Sequence, residues 1–373
     1  MAAQLLDDDL LANLRARGDA AEYDRLLAGF EWKNGTPRPG RAVKAGAGAS
    51  ARRRVLRLLA DAPNGSTRAP ALREYAPREL RLTGDEVDLG CVRGLAPLEE
   101  LQIVDATLLH GVDAVASLPK LYAIGIYGVH AIREGERFTH ATLRSLRAYQ
   151  PITSHVPPLR VLPHLGEMPE LGTLTTRVGP TDDLRVLAAY PRLWSLRLER
   201  VPTHEALAAL PLLPDLSVFS VSIEPEGGRM APPGVVSLDA TRFPSLLLYE
   251  TQGPTGRVES LPPKLDQLVL GQLAPGFSVS LQTPTAVKTL SLKSDREPIS
   301  LDFLRWFPAL ERLTLDGPGI ASLDGLAACP SLRELYLYNT TAATDASYLR
   351  AHPVPQFWAL DSVRKALGLP PQS

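Results

Sequence analysis

The stretch "CPSLRELYLYN", residues 329–339, sets its leucines at 332, 335 and 337, three and then two residues apart. That spacing fits neither a helix of period 3.6 nor a plain strand of period 2. Twenty-two residues earlier, "FPALERLTLDG" (307–317) carries Leu310, Leu313 and Leu315 in the same frame. The chain is therefore read as a set of repeats.

The frame apolar-x-x-apolar-x-apolar begins at Leu98, Leu121, Leu171, Leu193, Leu216, Leu246, Leu265, Val287, Leu310 and Leu332. Steps of twenty-two or twenty-three residues are the commonest. A weaker copy starts at Pro77 ("PRELRL"), another at Leu143 ("LRSLRA"), and "FWAL" from Phe357 reads as a degenerate last turn. Proline stands two residues ahead of the frame at Pro119, Pro169, Pro191, Pro214, Pro244, Pro263, Pro308, Pro330 and Pro355. In a short strand the last two leucines share a face, while the first lies where the chain still turns in from coil. Proline, lacking an N–H, is tolerated at the mouth of that strand and marks a corner. One repeat cannot bury its leucines alone, whereas stacked repeats can. Leu323 and Leu326, with Ile320, are spaced by threes and suit a 3₁₀-like return.

"LERLTLDGPGIASLDGLAACPSLRELYLYN" resembles the leucine-rich repeat proteins, in particular the short class of about 22 residues seen in internalins and in protein phosphatase regulators of that repeat type. The resemblance covers roughly residues 77–360. It implies an α/β-type leucine-rich repeat solenoid, a horseshoe with a parallel concave β-sheet, short 3₁₀ or irregular convex segments and a small helical N-terminal region. The expected organisation is a helical and linker region over 1–60 with a basic segment at 32–60, a solenoid over 61–360, and a C-terminal cap and tail over 357–373. Within the first region "ASARRRVLRLLADAP" is expected to be a capping helix, and "NGTPRPGRAVKAGAGAS" a linker. One departure from the family pattern is plain. The position eight residues after the first leucine, usually Asn, holds Ala106, Val129, Val201, Glu224 and Leu273 among others, so something else must satisfy the turn backbone.

Composition narrows the function classes. A net charge of -1 opposes a global field for nucleic acid or anionic membrane. The two cysteines, Cys91 and Cys329, form no CxxC pair, and the seven histidines show no metal-ligand spacing. No nucleophile elbow or P-loop occurs; "GAGAS" (46–50) lacks the Gly-Lys-Ser/Thr ending. Hence no catalytic residue, cofactor or metal is expected, and the chain reads as non-enzymatic. Three aspartates near the start stand where a signal peptide has basic residues, so a cytoplasmic location is expected, and the Ala, Arg, Leu, Gly and Pro bias suggests a bacterial genome.

What remains is surface. Residues between the leucines should point outward in ranks, among them Arg144 with Arg147 and Trp194 with Arg197. Tyr, Trp and Arg dominate binding hot spots. Two clusters are therefore candidate partner-binding residues: Tyr122, Tyr127, Arg144, Tyr149, Trp194 and Arg197, then Arg312, Arg333, Tyr336 and Tyr338. The expected function is that of a protein–protein interaction module, an adaptor or inhibitor gripping a protein partner of unspecified identity on the concave face. The alternative is a nucleic-acid or anionic-membrane binder working through Lys33, Arg38, Arg41, Lys44, Arg52, Arg53, Arg54 and Arg57.

Overall fold

The computed structural model describes residues 78–83, 85–149, 159–224, 231–294, 298–317, 322–339, 349 and 353–366, with the backbone of three strands at 30–33, 36–39 and 56–59. The chain divides into two compact units, Met1–Arg177 and Val178–Ser373. Each is a leucine-rich repeat solenoid of stacked parallel strands.

Unit 1 contains β1 (Phe30–Lys33), β2 (Thr36–Pro39), β3 (Leu56–Leu59), β4 (Glu79–Thr83), β5 (Glu86–Asp88), β6 (Glu100–Val104), β7 (Leu108–His110), β8 (Ala123–Tyr127), β9 (Ala131–Ile132), β10 (Ser145–Tyr149) and β11 (Thr173–Arg177). The main ladder runs β3-β4-β6-β8-β10-β11, all parallel, and puts Leu80, Leu101, Ile124, Leu146 and Leu174 in one buried line. β5, β7 and β9 form a second, small parallel sheet on the return side, followed by 3₁₀ turns such as Val112–Ser117.

Unit 2 contains β12 (Ser195–Val201), β13 (Val218–Ile223), β14 (Gly234–Ser237), β15 (Leu248–Ser260), β16 (Gln267–Val279), β17 (Thr289–Lys293), β18 (Arg312–Asp316), β19 (Glu334–Tyr338), β20 (Gln356–Ala359) and α1 (Asp361–Ala366). Its register carries the buried line Leu196, Phe219, Tyr249, Leu268, Leu290, Leu313 and Leu335. Phe219 lies 5.5 Å from Tyr249 and 6.1 Å from Phe243, ring centre to ring centre. β15 and β16 run on for 13 residues each, and the second half of β15 pairs with β14.

The proline marker has a physical basis in the turns. Leu121 N donates to Leu118 O, Leu193 N to Tyr190 O, Leu310 N to Phe307 O and Leu332 N to Cys329 O, at 3.1–3.2 Å. Each i to i+3 bond closes a turn whose second residue is the proline, the position for which its fixed φ is suited. The first leucine of the frame is delivered by that turn, and Leu98, Leu121, Leu171, Leu193, Leu216 and Leu310 are all fully buried.

The missing asparagines are replaced by backbone pairing between neighbouring repeats. Asp105 N donates to Tyr127 O, His130 N to Ala106 O, Glu224 N to Val201 O and Ser294 N to Asp316 O, at 2.7–3.0 Å. With those groups satisfied, the vacated positions Ala106, Val129 and Val201 add apolar side chains to the core.

Two expectations need correction. The "VLRLLA" stretch does not form the expected capping helix: Leu56–Leu59 is a strand, and positions 56 and 58 take the register of Leu80 and Leu82. The edge of β4 offers unpaired backbone groups, and an L-x-L alternation fits the ladder as well as a helix face. Part of the stretch read as linker is β2, antiparallel to β1. The expected helices before residue 30 lie outside the described residues. The long step between Leu121 and Leu171 holds a complete repeat, since Leu143 is buried and β10 pairs on both sides.

Candidate interaction surface

A parallel ladder in register lines up its outward residues as well as its inward ones. In unit 1 the outward ranks are Glu79, Glu100, Ala123 and Ser145; then Arg81, Gln102, Gly125 and Arg147; then Tyr127 beside Tyr149. In unit 2 the central rank is Arg197, Ser220, Glu250, Val269, Ser291, Thr314, Tyr336 and Trp358.

The first expected cluster is divided between the units. Tyr122, Tyr127, Arg144 and Tyr149 belong to unit 1. Tyr122 is exposed, and its hydroxyl donates to Glu100 Oε1. That bond to a carboxylate, aided by partial burial, pushes the Tyr122 phenol up to about 12. Tyr127 and Tyr149 are half-buried and stacked, with ring centres 5.5 Å apart. The Tyr127 ring folds back across its own strand: a Cβ added at Gly125 would sit 2.9 Å from Tyr127 Cε2. Burial raises the Tyr127 phenol, the neighbouring Tyr149 adds to this, and Arg147 and Arg81 oppose it. Arg144 is exposed at the mouth of β10.

Trp194 and Arg197 belong to unit 2. Trp194 is 49% exposed, and its carbonyl accepts from Ser217 N; the Ser217 carbonyl accepts in turn from Leu247 N, and Leu247 is 48% exposed. Two large apolar side chains thus flank a serine at the strand mouths, on backbone linked through these bonds. Arg197 is held by Glu199 at 2.6 Å.

The second cluster is one connected group. Arg312 grips Glu334 through two bonds of 2.6 and 2.9 Å, and Tyr336 Oη donates to the same carboxylate at 3.1 Å. The Arg312 bond holds the Glu334 carboxyl below the usual range, with Tyr336 contributing less. Tyr336 stacks on Tyr338 at 6.4 Å, and Tyr338 meets Trp358 at 4.6 Å. Arg333 is exposed beside them.

Three residues of this surface escape a reading by strong repeats. Leu247 reads as one more leucine of "LLLYE", although the frame that starts at Leu246 puts it in an outward position. Trp358 lies in the degenerate "FWAL", yet it continues the Tyr336 rank. Arg81 sits between Leu80 and Leu82 in the weak repeat at Pro77; the same spacing rule applied there would have found it.

Among the described residues no group of His, Cys, Asp and Glu could hold a metal ion, and no helix is long and apolar enough to cross a membrane. Burial pushes the Cys329 thiol up to about 11, away from nucleophilic use at neutral pH.

No protein-family model matches the chain, and no curated protein matches it. Among solved structures it is similar to an internalin, inlF, from Listeria monocytogenes str. 4b F2365, with 13% identity, 90% of this chain and 83% of that one covered, and a TM-score of 0.40. It is also similar to a chain of a TLR13–ssRNA13 complex, with 13% identity, 80% of this chain and 62% of that one covered, and a TM-score of 0.27. It thus spans less than two thirds of the second chain's length. The fold assignment rests on strand register and repeat spacing within each unit.

Proposed function

We propose that this protein is a non-enzymatic interaction module that holds a protein partner on the open face of its strands. The observation that carries the reading is the exposed Trp194 and Leu247 pair, set at the mouths of β12 and β15 on either side of Ser217. Large apolar side chains held out from a rigid, fully paired sheet lose little conformational entropy on binding and remove much apolar area from water. The two tyrosine groups, Tyr127 with Tyr149 and Tyr336 with Tyr338 and Trp358, supply flat half-exposed rings of the same kind.

The test places a photo-crosslinking amino acid at position 217, between the two apolar groups, and compares the intact surface with Trp194→Asp and Leu247→Asp. One protein crosslinked in stoichiometric yield, and lost in both variants while their far-UV spectra stay unchanged, supports the reading. Equal crosslinking in all three chains removes this face from the function.

A further inference from the structure

We infer that the middle of the unit 1 sheet face is an oxyanion site, in which Arg81 and Arg147 approach one carboxylate or phosphate group from either side of Gly125. The inference deepens the interaction reading above and rests on it for the origin of the ligand. Three independent observations place the site.

The first is register. Arg81, Gln102, Gly125 and Arg147 occupy one rank on four adjacent strands. Strand spacing puts the two arginine Cα atoms about 14 Å apart, with only a glutamine and a glycine between them. The rank therefore leaves room at its centre, which the Tyr127 ring covers, and is cationic at both ends.

The second is unmet bonding capacity. The Nε atoms of Arg81 and Arg147 are buried and have no hydrogen-bond partner, and neither guanidinium has an ion pair among the described residues. Buried donors normally find acceptors, and a guanidinium is shaped to take both oxygens of an oxyanion at once. The nearby acids do not fill this role. Glu100 is engaged by the Tyr122 hydroxyl, and Asp105 acts on Arg81 from a distance without closing to an ion pair.

The third is the cover over that centre. The Tyr127 ring lies over Gly125, and its stacking partner Tyr149 backs it from the next strand. The charges of Arg147 and Arg81 both act on the Tyr127 phenol and oppose its rise. The phenol adds one donor to the two guanidiniums. A side chain at position 125 would push that ring from its place.

The experiment titrates the full chain, labelled with ¹⁵N in arginine, with inorganic phosphate and separately with an octaglutamate peptide, following the Nε–H signals. A saturable shift of the Arg81 and Arg147 signals, with Arg333 unmoved, is the expected result. Arg81→Gln and Arg147→Gln should each weaken binding at least tenfold, and Arg333→Gln should not. Tighter binding of phosphate identifies a phosphate group as the ligand, and tighter binding of octaglutamate identifies an acidic segment of the partner. No saturable shift with either probe, or binding indifferent to both arginine substitutions, overturns the inference. A Trp194-dependent crosslink together with no oxyanion binding would sink this site alone. Oxyanion binding with a crosslink indifferent to Trp194 and Leu247 would sink only the protein-partner reading.

Discussion

The two units build their strand faces from one geometry and differ in how the arginines at the centre of each face are paired. In unit 2, Arg197, Arg200 and Arg312 each lie within 2.9 Å of a glutamate oxygen, from Glu199, Glu224 and Glu334 respectively. In unit 1, Arg81 and Arg147 stand in the centre of the face with buried nitrogens and no such partner. A paired arginine is neutralised and fixed, so it braces the sheet; an arginine kept half-buried without an acceptor retains its demand for one. The sign and readiness of a solenoid surface thus depend on what lies two residues along the strand, as for Arg197, or one strand away, as for Arg312.

The core offers the harshest test that the units share an architecture. Phe219→Ala in unit 2 should lower the unfolding free energy by about 3–5 kcal/mol, and Leu101→Ala in unit 1 by about 2–5 kcal/mol, both read by urea titration. Losses below 1 kcal/mol in one unit would mean that its stack is not packed as described.

A smaller effect separates the units by pH. His204 in unit 2 is buried, both ring nitrogens lack partners, and burial lowers its pKa below the ordinary 6.5, against a weaker opposing pull from Glu205. The folded state therefore favours the neutral ring. Its contribution is complete above pH 6.5 and is lost as pH falls from there through the depressed folded value. The urea midpoint should drop over that range, and His204→Leu should flatten the drop.

Charge pairing on the faces gives the smallest effects. Arg312→Gln should return the Glu334 carboxyl toward higher pH in a ¹³C titration, and should leave phosphate binding to unit 1 unchanged. Glu100→Gln should bring the Tyr122 phenol down from about 12 in an ultraviolet titration. An unmoved phenol would mean that the Tyr122 hydroxyl is not held by that carboxylate.

Much of the fold is legible in the leucine and proline register, because each repeat solves the same local problem. The proline turn delivers a leucine, and the next two alternate onto one face. Strand β3 was harder to see, since "VLRLLA" satisfies a helix face and a strand alternation equally, and the decision fell to the open edge of β4. The candidate residues show the same division. Tyr122, Trp194 and Tyr338 could be placed outward from spacing, and they are exposed. That Arg312 and Tyr336 converge on one glutamate, while Arg147 has none, depends on neighbours a full repeat away.

The repeat, the strand, the corner and the buried leucines follow from chemistry within about five residues along the chain. Which charges cancel across strands, as Arg312 and Glu334 do, is settled by the stacking of repeats. Parallel stacking brings together side chains some twenty-two residues apart, and electrostatic balance is a property of that juxtaposition, invisible along a single strand.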